Sequence, residues 1–168
     1  GPVYSLSIEN DWRRRAAELV REAFLTSLKP DMVLVTSLFE GVGDDAVTSI
    51  GTLNRTLPTA AILYDLIPLI HRHPYLDNPV VETWYENKLD HLRRADLLLA
   101  ISESSRQEGI RYLDFPAKTA VNISTAADPQ FQPAQVATQR ETAVRERYGL
   151  RSPFLMYTGG IDHRKNIE

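Results

Sequence analysis

The 168-residue chain has 19 Lys and Arg against 22 Asp and Glu, a net charge of −3, and 43% of its residues are apolar. These values are ordinary for a globular domain, and the basic footprint that general nucleic-acid binding requires is absent. No apolar run approaches the roughly 20 residues that span a bilayer. Because the chain has no cysteine, disulfides, thiolate catalysis and cysteine-based metal sites are excluded.

The first part of the chain predicts one long helix followed by two buried strands. Apolar residues recur at three- and four-residue steps from residue 12 to residue 28, which predicts a helix. Short apolar runs over 32–36 and 59–64 predict strands covered on both faces, as in a parallel sheet. A short helix is expected between them, over 45–50.

The same alternation continues to the end of the chain. Periodic apolar positions predict helices over 80–94, 102–113 and 139–148, and apolar runs predict strands over 96–101, 119–123 and 154–158. Strands that alternate with helices imply right-handed crossovers. The predicted fold class is therefore α/β, a Rossmann-like, doubly wound parallel sheet.

Ligands of an open parallel sheet bind beyond the carboxyl ends of its strands, so the residues that follow each strand are the candidates. Gly41 and Gly43 either let a ligand approach the backbone near a helix N-terminus or form a tight turn. Asp65, next to Tyr64, places a carboxylate after the second strand. That carboxylate either meets a polar ligand or bonds its own backbone in a turn.

Histidine and serine side chains near the other strand ends are weaker candidates. His71 either binds a hydroxyl group or is solvated, and with His73 it falls short of a metal motif, so no metal site is predicted. His91 lies among charged residues of a predicted helix and is interpreted as solvated. Ser102 either orients a polar ligand or caps the helix that follows it.

A cationic pair near the C-terminus predicts a phosphate site. Arg164 and Lys165 follow Gly159 and Gly160, between a predicted strand and the start of a helix. Cations at a helix N-terminus oppose the helix dipole unless an anion lies between them. An arginine fork and a lysine point charge together suit a diphosphate.

Four segments in this order resemble the retaining, nucleotide-sugar-dependent glycosyltransferases of the group 1 family (family 4). In that family, two Rossmann-like domains form the GT-B architecture. The segments are 64–69, 100–105, 119–133 with Asp128, Phe131 and Pro133, and 157–166. The chain departs from the family where Tyr64 and Gly160 stand, since many relatives have His and Arg there.

The resemblance implies that residues 1–150 form an N-terminal, acceptor-side Rossmann-like domain and that 151–168 begin a C-terminal nucleotide-sugar-binding domain, most of which this chain lacks. It implies a bacterial glycosyltransferase of polysaccharide biosynthesis. A sugar, with mannose favoured, would pass with retention from a nucleotide diphosphate sugar to a saccharide or lipid-linked acceptor. GDP-mannose is the favoured donor, and no further cofactor is implied.

The resemblance also assigns roles to the candidate residues. Asp65 is the candidate catalytic residue and would hold sugar hydroxyls on the acceptor side, whereas Lys165, with Arg164, would neutralise the donor's diphosphate. The remaining candidate substrate-binding residues are Gly41, Gly43, Tyr64, His71, Ser102, Gly159 and Gly160. The fragment alone is expected to be inactive, and the enzyme to be cytoplasmic and peripheral at the inner face of the membrane.

The alternative hypothesis is a Rossmann-like binding module without catalysis. Such a module would dock a partner through Tyr64, His71, His73, Tyr75 and Trp84.

Overall fold

The computed structural model of the chain describes residues 11–44, 46–132 and 137–160, and residue 165. Contacts divide the chain into two compact units, Gly1–Ala126 and Ala127–Glu168. The boundary near residue 150 between an acceptor-side and a donor-side domain stays a prediction.

The first unit is built on a four-stranded sheet in which every neighbouring pair is parallel. The strands lie in the order β1-β2-β3-β4, without a reversal of strand order among those described. They are Val33–Val35 (β1), Thr59–Leu63 (β2), Leu97–Ala100 (β3) and Ala120–Asn122 (β4). The predicted α/β class, a Rossmann-like parallel sheet flanked by helices, is confirmed.

Helices lie at all four spans that the apolar periodicity predicts, and two further short helices, Ile67–Ile70 and Arg72–Tyr75, lie where the sequence predicts none. In chain order, the helices are Asp11–Ser27 (α1), Ile67–Ile70 (α2), Arg72–Tyr75 (α3), Pro79–Leu92 (α4), Glu103–Leu113 (α5) and, in the second unit, Thr138–Tyr148 (α6). Local signals define their ends: the Asn78 side chain accepts from the first turn of α4, and Gly149 ends α6 in the left-handed conformation. A short 3-10 turn, Ala117–Thr119, leads into β4.

The core of the first unit lies between the sheet and the helices that connect its strands. Leu63 of β2, Leu98 of β3, and Leu89 and Leu92 of α4 are completely buried. Full burial of a leucine side chain contributes about 1.5–3 kcal/mol. This aliphatic layer holds β2 and β3 rigidly, and with them the loops at their carboxyl ends.

One side of β1 is more exposed than its apolar sequence predicts. Val35 is buried, but Leu34 is 53% exposed. The prediction that this strand is covered on both faces is therefore wrong within the described residues; β1 lies at the edge of the sheet, where fewer neighbouring elements are available to cover its faces.

Helix α1 confirms its predicted span but turns its apolar residues outward. Trp12, Val20 and Phe24 are 66%, 70% and 61% exposed, whereas Glu18 and Glu22 are buried. The polar side of the helix therefore faces the protein, and an apolar stripe faces away from it. Periodicity alone cannot show this, because it identifies the faces of a helix without saying which one is buried.

The buried side of α1 is held by the loop that follows residue 45. The Glu22 carboxylate accepts from the Ser49 hydroxyl at 2.8 Å and from the backbone N–H of Thr52 at 3.0 Å, and also from the N–H groups of Leu53 and Asn54. Burial alone would raise the pKa of Glu22, but these donors outweigh it and hold the pKa below its usual value.

No helix forms over residues 46–50, so the expected short helix is absent from the described part of 45–50. The Thr48 hydroxyl donates to the Leu38 carbonyl, and the Ile50 N–H donates to His91 Nδ1 at 3.1 Å. Such side-chain bonds compete with helix hydrogen bonds. His91 is 4% exposed, with Nε2 3.6 Å from a Glu18 oxygen, so its interpretation as a solvated residue is also wrong.

Lys88 is a buried cation beside this loop. Its ammonium donates to the Thr48 carbonyl at 2.9 Å, and burial lowers its pKa to about 8. A buried lysine with several polar neighbours fixes the loop to α4.

The second unit contains α6 and an irregular segment. The predicted strand 154–158 does not form: Leu155 is fully exposed and the segment pairs with no described strand. An isolated strand has no partner for its backbone groups and is not stable by itself.

Gly109 on α5 lies against the sheet so closely that a methyl group would collide with it. A Cβ built there would lie 2.5 Å from Leu98 Cδ2 and 3.3 Å from Leu63 Cδ2, and both leucines are completely buried. We expect Gly109→Ala to lower the free energy of unfolding by about 1–2 kcal/mol, since overpacking exceeds the gain in helix propensity. Denaturant unfolding followed by circular dichroism measures this.

The matched control is Gly43→Ala, because a Cβ at Gly43 meets nothing within 4 Å. The control is expected to change the stability by less than about 0.5 kcal/mol. Equal effects of the two substitutions would contradict the close packing of α5 on β2 and β3.

Candidate functional site

A cleft of about 250 Å³ opens at the carboxyl ends of β1 and β2, where the fold class predicts a ligand site. Its lining comes from the loop after β1, the end of β2 and the loop after it, and the middle of α4. The lining residues are Ser37, Leu38, Phe39, Ile62, Tyr64, Asp65, Pro68, Trp84 and Tyr85. The structure thus places the predicted Tyr64 and Asp65 in one concave site.

Aromatic rings form much of the wall of this cleft. Phe39 stacks on Tyr85 with centroids 5.0 Å apart and an interplanar angle of 29°, and Trp84 meets Phe39 edge-on at 6.4 Å. Trp84 Nε1 donates to the Glu40 carbonyl at 3.3 Å, which fixes the indole against the loop after β1. The wall is therefore apolar, and the rings of Phe39, Trp84 and Tyr85 contact one another along it.

Asp65 lies at the rim, exposed to solvent. One carboxylate oxygen, Oδ1, accepts from the backbone N–H of Ile67 at 3.0 Å. Asp65 therefore forms the turn that the sequence predicts as one of two alternatives. The turn orients the carboxylate and does not remove its charge or its second oxygen. A ligand-binding role and the turn are therefore compatible.

Helix α5 supports this rim from behind. The Ser105 hydroxyl donates to the Tyr64 carbonyl at 2.6 Å, and Glu108 accepts from the Leu66 N–H at 3.2 Å. Two side chains of α5 thus satisfy the backbone at the point where β2 ends. The position of Asp65 is set by these contacts on both sides of it.

Tyr85 carries a buried hydroxyl that makes no hydrogen bond among the described residues, and the side chain is 4% exposed. Burial raises the pKa of Tyr85, and the negative charge of Asp65 raises it further. The Leu69 backbone lies close enough to lower that pKa in part, although not in hydrogen-bond geometry. An unsatisfied buried donor costs about 1–3 kcal/mol.

No lysine or arginine lines the cleft. Its ionisable side chains are Asp65, Tyr64 and Tyr85. A phosphate would meet a negative charge here without a cation to offset it. The chemistry of this site suits a neutral ligand with hydroxyl groups and an apolar face.

The other predicted site residues of the first unit do not line the cleft. Gly41 is buried and has a φ of 90°, a backbone conformation that favours glycine and supports the tight-turn alternative. Gly43 is exposed. His71 is exposed and follows α2. Ser102 caps α5, accepting from the Ser105 N–H at 3.1 Å, which confirms the capping alternative.

The predicted phosphate site falls in the second unit. Gly159 and Gly160 form an exposed bend, and the Tyr157 hydroxyl donates to the Gly160 carbonyl at 3.1 Å. Lys165 is exposed, and Arg164 lies outside the described residues. The joint action of these residues on a diphosphate stays a prediction.

Sequence reasoning missed Phe39 and Tyr85 as site residues. Tyr85 occupies a regular apolar position of α4, the same signal that a core residue gives, and Phe39 lies in a loop without a motif. Trp84 and Tyr85 are adjacent on α4 and both contact the same core, so their spacing does not separate a site residue from a core residue.

Two kinds of feature are absent from the residues that the structure describes. None of the helices there has the length and apolarity needed to cross a membrane. No group of three or more His, Asp or Glu side chains lies close enough together in those ranges to hold a metal ion.

Comparison with known proteins confirms the resemblance to glycosyltransferases. Three curated relatives from Escherichia coli, each named serotype-specific mannosyltransferase WbdA, are 37%, 35% and 37% identical to this chain over 167 residues. The match includes 99% of this chain but only 20% of each relative, so the chain spans about a fifth of their length. No protein-family model matches the chain.

Proposed function

We propose that the natural polypeptide that carries these 168 residues, called the full-length protein below, is a mannosyltransferase of bacterial polysaccharide biosynthesis. It transfers mannose from a nucleotide diphosphate sugar to a saccharide or lipid-linked acceptor, with retention. The similarity to proteins named mannosyltransferase along 99% of the chain supports the reaction class. The described first unit contributes the acceptor side.

The observation that carries this proposal is the chemistry of the cleft at the strand ends. A carboxylate at the rim and aromatic rings along the wall suit a sugar, whose hydroxyls and C–H faces need both kinds of contact. Asp65 would hold acceptor hydroxyls there. The lack of a cation in the lining of this cleft supports a separate site for the diphosphate of the donor.

Lys165, with Arg164, is the proposed diphosphate site. The leaving nucleotide diphosphate gains negative charge in the transition state, and a cation held beside it stabilises that state more than the ground state. GDP-mannose is the proposed donor, and the 168-residue chain alone is proposed to be inactive. Half a cleft cannot orient both substrates.

The proposed location is the cytoplasm, at the inner face of the membrane. The exposed apolar stripe of α1, which includes Trp12, Val20 and Phe24, lies beside the exposed Arg13 and Arg15. Apolar residues flanked by cations suit the surface of an anionic bilayer.

Isothermal titration calorimetry of the full-length protein with GDP-mannose tests the proposed function. We expect saturable binding in the micromolar to millimolar range typical of enzyme substrates, and none with mannose 1-phosphate at the same concentration. If no nucleotide sugar binds, the proposal fails and the alternative, a binding module without catalysis, gains support.

Asp65→Asn is expected to raise the KM for the acceptor about tenfold with little change in the KM for the donor. Asparagine keeps an oxygen for the Ile67 N–H but loses the charge that strengthens hydrogen bonds to hydroxyls. Steady-state kinetics of the full-length protein measure both constants. Asp90→Asn, at an exposed aspartate that pairs with Arg93, is the control and should leave both unchanged.

A further inference from the structure

The Tyr85 hydroxyl is a polar group of the cleft lining that has no hydrogen-bond partner among the described residues. The Ser37 hydroxyl donates to Glu40, Trp84 Nε1 donates to the Glu40 carbonyl, and Asp65 Oδ1 accepts from Ile67. The Tyr85 hydroxyl is buried and has no such partner. A phenylalanine would fill the same space, make the same stacking contact with Phe39, and leave no donor unsatisfied.

The surroundings of this hydroxyl define the ligand that would use it. Phe39 and Trp84 offer flat apolar surfaces, Asp65 offers a hydrogen-bond acceptor at the rim, and no cation lines the site. A pyranose ring has one apolar C–H face and hydroxyl groups around its edge. It can therefore stack on the aromatic wall, donate to Asp65 and accept from Tyr85.

We propose that Tyr85 is a specificity-determining residue for the acceptor: its hydroxyl donates a hydrogen bond to a hydroxyl oxygen of a pyranose ring stacked on Phe39 and Trp84. This inference rests on the proposed function, because it identifies the ligand of the same cleft as the acceptor sugar. The hydroxyl is covered in the described structure. A ring that reaches this hydroxyl must therefore displace the atoms that cover it, and the new hydrogen bond favours that movement.

An apolar or charged ligand fits these observations less well. An apolar ligand would leave both Asp65 and the Tyr85 hydroxyl without a partner, and an anion would be repelled by Asp65. A neutral polyol satisfies both groups. Tyr85 would therefore favour acceptors that present a hydroxyl at this point over acceptors that lack it.

The test is Tyr85→Phe in the full-length protein, with Tyr112→Phe as the matched control. Tyr112 lies on α5, is 38% exposed and is not part of the cleft lining. We expect Tyr85→Phe to raise the KM for a mannobiose acceptor about tenfold, to leave the KM for GDP-mannose unchanged, and to keep or raise the melting temperature. Tyr112→Phe should leave all three unchanged. An acceptor KM within twofold of wild type would overturn the proposal.

Binding of mannobiose without donor, followed by saturation-transfer NMR, separates this inference from the proposed function. Turnover by wild type with an unchanged acceptor KM in Tyr85→Phe overturns the inference alone. Mannobiose binding that Tyr85→Phe weakens, in a protein that uses no nucleotide sugar, overturns the proposed function and with it the acceptor role of Tyr85, and supports only the contact between Tyr85 and a saccharide. Absence of both turnover and binding overturns both.

A second variant covers the case in which Tyr85→Phe does not fold. Trp84→Leu removes a stacking surface of the same cleft and keeps an apolar side chain on α4. It is expected to weaken mannobiose binding at least fivefold. Unchanged binding would overturn the stacking on which the role of Tyr85 depends.

Discussion

Replacement of Lys165 by alanine in the full-length protein is expected to lower kcat/KM for GDP-mannose about 100- to 1000-fold. The proposed role of the exposed ammonium is to offset charge that grows on the leaving diphosphate, and loss of one such group in other enzymes has effects of this size. Because the interaction strengthens in the transition state, kcat should fall and not KM alone. Steady-state kinetics with varied donor measure the two constants separately.

The control is Lys118→Ala, at an exposed lysine of the first unit with no proposed contact to substrate. It removes the same charge and should change kcat/KM less than twofold. If Lys165→Ala behaves like this control, Lys165 does not bind the diphosphate and the phosphate site predicted from residues 159–165 is wrong.

Replacement of Glu22 by alanine is expected to lower the free energy of unfolding of the 168-residue chain by about 3–5 kcal/mol. The carboxylate accepts from Ser49, Thr52 and two further backbone N–H groups, and its loss leaves these donors without a partner. Such a loss is a large fraction of the stability of a typical domain. Denaturant titration measures it, with Glu141→Ala on the exposed face of α6 as control.

The same carboxylate predicts a pH dependence. The pKa of Glu22 is held below its usual value of 4.5 in the folded state, so its ionised form stabilises folding fully above that pH. The contribution is lost as the pH falls from about 4.5 through the folded-state pKa. The stability difference between wild type and Glu22→Gln should therefore shrink in acid. A constant difference from pH 7 to pH 3 would contradict the hydrogen bonds assigned to this group.

Much of the fold follows from local patterns in the sequence. Short apolar runs predicted β2 and β3, whose side chains are buried or partly buried on both faces, and Ser102 caps α5 as one of its two predicted roles required. The absent helix at 46–50 depends on bonds to Leu38 and His91, the latter 41 residues away. Such tertiary contacts leave no periodic signal.

The candidate site was predicted only in part, for a similar reason. Asp65 was identified because it follows a strand, which is a rule about position in a fold. Tyr85 lies 20 residues further along, and its place in the cleft depends on how α4 packs against the loop that carries Phe39. The orientation of α1 was equally inaccessible, since the buried Glu22 accepts hydrogen bonds from residues 49–54, and contacts so distant in sequence leave no local pattern.

The most direct test of the account is transfer of radiolabelled mannose from GDP-mannose by the full-length protein to mannobiose, with the anomeric configuration of the product determined by NMR. The account predicts a labelled trisaccharide with an α-linked mannose, as in the donor, and no product from the 168-residue chain. Failure to form product with every nucleotide sugar and saccharide acceptor tried, or a β-linked product, would contradict it.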